Sequence, residues 1–126
     1  MIRLPESELE VMLCIWKSRQ EEISVNFILE ELNRSRKITA GALHSYLNRL
    51  VEKDFIRCEK RGKYKMIIPL ISEAEYRDIE SENVLNKFFH GSVSSLVSCL
   101  YKKDKLNIDD IRELKEFVNQ FEDDEE

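Results

Sequence analysis

Apolar residues recur at helical spacing along the first 53 positions, and then the period shortens to two. Over 6–18, Leu9, Met12, Leu13 and Trp16 fall at i, i+3, i+4 and i+7, which predicts a helix with one buried stripe. Pro5 suits its first turn, where a missing N–H costs nothing, and Glu6, Glu8 and Glu10 favour the positive end of its dipole. Ser24 is placed to cap a second helix over 25–33, with Val25, Ile28, Leu29 and Leu32 as its stripe; Ile23 before it reads as either a short strand or a hydrophobic staple. Thr39 caps a third helix over 40–53. Its apolar face is Leu43, Leu47, Leu50 and Val51, and its polar face is His44, Ser45, Asn48, Arg49 and Lys53.

Beyond Asp54, residues 55–60 and 64–68 alternate as two strands joined by Arg61-Gly62-Lys63, a hairpin with a basic tip. Ser72-Glu73-Ala74-Glu75 is a capping box and starts a helix that runs to about Phe89, where Gly91 breaks it. A helix over 93–101 follows, and Asn107, Asp109 and Asp110 open a last one to about Phe121. The fold class is therefore mainly α with a small β-hairpin. Helix, short strand, helix, helix, hairpin is the winged-helix order, so residues 1–72 are expected to be a winged helix-turn-helix domain and 73–126 a helical dimerisation region.

Charge sharpens this reading. The 126 residues carry a net charge of -5, which by itself disfavours nucleic acid as a partner. Residues 1–72, however, hold 13 Lys and Arg against 10 Asp and Glu, while 73–126 hold 7 against 15. A basic half beside an acidic one points to a binding end and a remainder that avoids DNA. Arg57, Lys60, Arg61, Lys63 and Lys65 crowd the hairpin, and Arg34, Arg36 and Lys37 precede the third helix. The expected DNA contacts are Thr39, Gly41, Ala42, His44, Ser45, Asn48 and Arg49 on and around that helix, with Lys60, Arg61 and Lys63 on the wing. The C-terminal 54 residues carry more apolar side chains than three short helices can enclose, so Leu85, Phe88, Phe89, Leu96, Leu100, Ile111, Leu114, Phe117 and Val118 are expected to meet a second copy.

Other chemistry is thin. Cys14, Cys58 and Cys99 are odd in number and far apart, which fits reduced thiols better than a disulfide framework. With no CxxC pair and only His44 and His90, neither a metal site nor a cofactor is expected. No apolar run is long enough to insert into a membrane and no signal segment opens the chain, so a cytoplasmic location is expected. A Cys-His nucleophile pair finds no supporting context, and no glycine-rich phosphate loop is present, so the chain does not read as an enzyme.

The motifs carry a resemblance. LPESELEVMLCIWK (4–17), ISVNFILEEL (23–32), LHSYLNRLVEKDFI (43–56), EKRGKYKMIIPLIS (59–72) and LNKFFHGSVSSLV (85–97) resemble, in order and spacing, the penicillinase-repressor family, also called BlaI/MecI/CopY. The resemblance covers about residues 4–118. It implies a transcriptional repressor that binds a palindromic operator as a homodimer and regulates β-lactam resistance or copper homeostasis. In the β-lactam branch, a membrane sensor-protease pathway triggers cleavage of the repressor.

Three departures stand out. Where the family often presents Lys and Thr to the bases, this chain has Gly41 and Ala42. Cys99-Leu100 replaces the Asn-Phe cleavage pair, and Glu122–Glu126 replaces the clustered cysteines of the copper branch. Two alternatives stay open: a winged-helix protein-interaction module without sequence-specific DNA binding, and a redox switch through Cys99 across a two-fold axis.

Overall fold

The computed structural model describes residues 3–124, with the side chains of 123 and 124 outside that description. The elements run α1 (Glu6–Ser18), β1 (Ile23–Ser24), α2 (Val25–Ser35), α3 (Ala40–Glu52), β2 (Ile56–Arg61), β3 (Tyr64–Pro69), α4 (Glu73–Phe89), α5 (Val93–Lys102) and α6 (Ile108–Asp124). The chain divides into two compact units, one up to Glu80 and one from Ser81 onward.

In the first unit, α1, α2 and α3 pack on a three-stranded antiparallel sheet of order β1-β3-β2. Local chemistry sets the helix starts. Ser24 Oγ accepts the Phe27 N–H at 3.1 Å, and Thr39 Oγ1 accepts the Ala42 N–H at 3.0 Å. Ser72 and Glu75 close a reciprocal capping box, as Asn107 and Asp110 do ahead of α6. Several helices end where the backbone turns left-handed: Arg19 after α1, Asp54 after α3, His90 with Gly91 after α4, and Asp104 after α5. Ile23 is a strand residue, paired with Ile67.

The hairpin register pairs Cys58 with Ile67, Lys60 with Lys65 and Arg61 with Tyr64. Only Gly62 and Lys63 remain in the turn. Gly62 has φ +60, and Lys63 is not among the left-handed residues, the pattern of a type II′ turn.

The core is formed by Val11, Met12 and Ile15 of α1, Ile28 of α2, Leu43, Leu47 and Leu50 of α3, and Ile23, Phe55, Ile56 and Ile67 around the sheet. Each such side chain contributes about 1.5–3 kcal/mol on burial. Tyr76 of α4 joins them, its ring 5.8 Å from Phe55 and 5.7 Å from Trp16, while its hydroxyl accepts the Leu4 N–H at 3.0 Å. Trp16 Nε1 donates to the Ile71 carbonyl at 2.8 Å, which ties the chain after the hairpin back to α1.

The α1 face differs from the stripe expected of it. Met12 is buried and Leu9 and Trp16 pack half-buried on the core as expected, but Leu13 is 45% exposed, and the helix buries Glu8, Val11 and Ile15 beside Met12. Residues 11–16 are apolar almost without interruption, so several faces satisfy the pattern, and packing against α2 and α3 selects one. Val51 is also exposed, because α3 turns it away from Leu43, Leu47 and Leu50. Lys53, expected on the polar face of the third helix, instead holds the buried Glu8 carboxylate at 2.6 Å.

The second unit holds the end of α4 with α5 and α6. No residue between 81 and 122 is buried in the chain alone.

Candidate nucleic-acid interface

The outer side of α3 is built from its first three turns. Thr39 is exposed at the N-cap, and Gly41, His44, Ser45, Asn48 and Arg49 are exposed along the helix, with Ala42 half-buried. Spacing of four places His44 above Asn48 and Ser45 above Arg49, so these side chains share one face. Opposite them, Leu43, Leu47 and Leu50 fix the helix to the core, so the polar face is presented by a rigid element. Ser45 Oγ donates to the Gly41 carbonyl at 3.2 Å and is thus partly satisfied within the helix. Among the described residues, no ion pair engages His44, Asn48 or Arg49, which leaves their donors and acceptors for an external partner. Gly41 leaves open space, since an added Cβ would meet only Thr39 Oγ1, 4.0 Å away.

The flanking cations are less free than their number suggests. Arg36 pairs with Glu10 at 2.9 Å and Arg34 with Glu31 at 3.3 Å. On the wing, one Arg61 nitrogen lies 2.6 Å from both Glu22 and Glu59, and Arg57 Nε lies 2.9 Å from the other oxygen of Glu59. These carboxylates raise the Arg61 pKa, the hydrogen bond that Arg61 donates to Glu22 most of all. Lys60, Lys63 and Lys65 are exposed and join no ion pair among the described residues, though the Lys63 ammonium sits 5.5 Å from the Tyr64 ring centre.

Sequence reasoning missed Glu22 and Glu59 as partners of the wing. Glu59 was accessible to it, because Arg57, Glu59 and Arg61 alternate onto one face of a strand. Glu22 lies 39 residues from Arg61 in the chain and gave no local signal.

In the second unit, the residues expected to meet a second copy line the outside of three helices. Phe88 is 58% exposed and Phe117 57%, Val118, Leu100 and Leu114 are also exposed, and Leu85, Phe89, Leu96 and Ile111 are half-buried. An open apolar groove of about 830 Å³ runs between α5 and α6, lined by Val93, Val97, Tyr101, Leu106, Ile111, Leu114 and Val118. Among the described residues, no helix is long and apolar enough to cross a membrane.

The family model described as penicillinase repressor matches residues 4–120, nearly the whole chain. The chain belongs to the penicillinase repressor family. That family comprises transcriptional repressors and is not a family of enzymes. Among its relatives, the chain is 29% identical to the penicillinase repressor of Bacillus licheniformis, over 94% of this chain and 91% of that protein. It is 31% identical to the methicillin resistance regulatory protein MecI of Mammaliicoccus sciuri, over 92% of this chain and 93% of that one.

Two solved structures share the winged-helix fold. The DNA-binding domain of the repressor BlaI matches with a TM-score of 0.52 and 30% identity, covering 59% of this chain and 88% of that one. The monomeric form of Bacillus licheniformis BlaI, solved in complex with the blaP half-operator, matches with a TM-score of 0.50 and 29% identity, covering 60% and 89%.

Proposed function

We propose that this protein represses transcription by binding a two-fold-symmetric operator as a homodimer. The observation that carries the DNA-binding half is α3. It is anchored on one side by Leu43, Leu47 and Leu50, and on the other it holds His44, Asn48 and Arg49 exposed and uncommitted. A helix so held beside a hairpin enters the major groove, and the hairpin lies along the backbone. The similarity to a BlaI monomer solved on a half-operator supports the same docking.

Thr39, Gly41 and Ala42 come closest to phosphate through the helix N-terminus, and His44, Ser45 and Asn48 meet base edges. Arg49, Lys60 and Lys63 are the expected phosphate partners, whereas Arg61, expected among them from the sequence, is engaged by Glu22 and Glu59. Gly41 and Ala42 carry no side-chain hydrogen-bonding group, so the operator differs in sequence from those read by Lys and Thr at these positions. The controlled genes belong to the β-lactam resistance class for which the relatives are named.

The dimer half of the proposal rests on the second unit, where apolar side chains of α4, α5 and α6 stand in solvent. A second copy covers them by symmetry and spaces two α3 helices about one DNA turn, roughly 34–36 Å, or a multiple of it apart. The domain assignment follows, with 1–72 for DNA and 73–126 for dimerisation, the first two turns of α4 packing with the DNA-binding unit through Tyr76. Induction through a membrane sensor-protease pathway belongs to the same proposal. Cys99-Leu100 lies inside α5, so cleavage there requires that helix to open locally.

Sedimentation combined with salt-titrated DNA binding tests the reading. A dimer at micromolar concentration whose affinity falls steeply with salt is expected. A monomer with full operator affinity, or binding insensitive to salt, refutes it.

A further inference from the structure

We infer that the phosphate-binding face of the wing is the lysine pair Lys60 and Lys65, and that Arg61 is a positioning residue strapped to Glu22 and Glu59. The inference rests on the repressor reading above and assigns roles within its wing.

The two faces of the hairpin are chemically distinct. Strand alternation and register place Ile56, Cys58 and Lys60 of β2 on the same face as Ile67 and Lys65 of β3. Ile56 and Ile67 are buried, so this face meets the helical layer at its root. Farther out it emerges on the same side as α3, carrying two lysines directly opposite one another. Like charges in register across a strand pair oppose hairpin formation. Lys60 and Lys65 are both exposed and have no carboxylate partner among the described residues, so nothing described in the chain offsets that repulsion. An anionic polymer lying alongside does.

The opposite face carries Arg57, Glu59 and Arg61, and Glu22 enters it from the residue before β1. Arg61 reaches across β3, since the sheet order is β1-β3-β2, to lie 2.6 Å from Glu22 while also 2.6 Å from Glu59. Arg57, Glu59, Arg61 and Glu22 sum to zero charge. If Arg61 turned to a phosphate, two carboxylates would be left unpaired close to the DNA. Its cation is better used holding β2 against the start of β1, which fixes the angle at which the lysine face leaves the core. Each exposed ion pair is weak alone, but a network bridging elements distant in sequence restricts the wing.

The test measures binding of the full chain to a random-sequence DNA duplex as a function of salt. Lys60→Gln and Lys65→Gln are each expected to reduce the salt slope by about one unit. Arg61→Glu alone places a third acid beside Glu22 and Glu59 and is expected to lower affinity about tenfold or more. The charge swap Glu22→Arg with Arg61→Glu restores the strap with its polarity reversed, and is expected to recover affinity to within about threefold with the original slope. If the swap stays as weak as Arg61→Glu and loses slope, Arg61 is itself a phosphate ligand and the inference fails. Unchanged slopes for both lysine variants overturn it equally. Absence of salt-dependent binding by the unaltered chain refutes the repressor reading and the inference with it, which separates the two failures.

Discussion

Replacing Lys53 with alanine strands a buried carboxylate between α1 and the end of α3. Glu8 is 1% exposed, and its Oε1 lies 2.6 Å from Lys53 Nζ, whose side chain is 22% exposed. At that separation and an effective dielectric of 20, the attraction is roughly 6 kcal/mol before desolvation is subtracted. Removing one partner of a buried pair costs about 3–5 kcal/mol, because the other charge stays in the interior unpaired. Partial exposure of Lys53 allows some water to reach the pair, which places Lys53→Ala near 3 kcal/mol. The double replacement Glu8→Leu with Lys53→Met removes both charges and is expected to return to within about 1 kcal/mol of the parent. The single tryptophan, Trp16, packs in the same unit, so urea titration followed by its fluorescence reads the relevant transition. A loss below 1 kcal/mol for Lys53→Ala, or a double variant as weak as the single, refutes the argument.

Thr39→Ala removes the acceptor of the Ala42 N–H and is expected to cost about 1 kcal/mol and to weaken operator binding; unchanged stability in the same titration counts against the cap. Burial raises the Tyr76 phenol pKa, the Leu4 N–H pulls it down and the Glu80 charge raises it further. The folded state therefore holds the proton more tightly than the unfolded chain, and this stabilisation, complete below about pH 10, is lost as pH rises through the folded value. Tyr76→Phe should flatten that alkaline loss in urea midpoints, and a parallel loss in both proteins would contradict the assignment. Burial also raises the Cys14 thiol, with Glu31 adding to the effect, whereas Cys58 is exposed. Thiol alkylation at neutral pH should modify Cys58 well before Cys14, and mass mapping that gives the reverse order rejects this.

What the sequence disclosed divides by distance along the chain. Caps at Ser24, Thr39 and Ser72, the change of period after Asp54 and the turn at Gly62 are local, and all lie within a few residues of where the pattern placed them. The α1 stripe was ambiguous because apolar residues surround most of that helix, and only packing could choose Ile15 over Leu13. Glu8 looked like a dipole partner at a helix start, since its true partner lies 45 residues away. Tyr76 read as part of the C-terminal half, yet its hydroxyl meets Leu4 across 72 residues. On the wing, composition counted five cations, while register and ion pairing leave Lys60, Lys63 and Lys65 without a carboxylate among the described residues.

If two copies pair as proposed, the absence of any buried residue between 81 and 122 ties the fate of each chain to its own abundance. A lone chain has no fully buried side chain to lose when α5 and α6 open, so its second half is the natural point of attack for a protease. In the homodimer proposed above, the same helices would become the protected part of the assembly, and folding of that half would become second order in protein concentration. Scarce repressor is then cleared faster than plentiful repressor. Occupancy of the operator consequently falls as a threshold when synthesis slows, with no ligand needed to sharpen it.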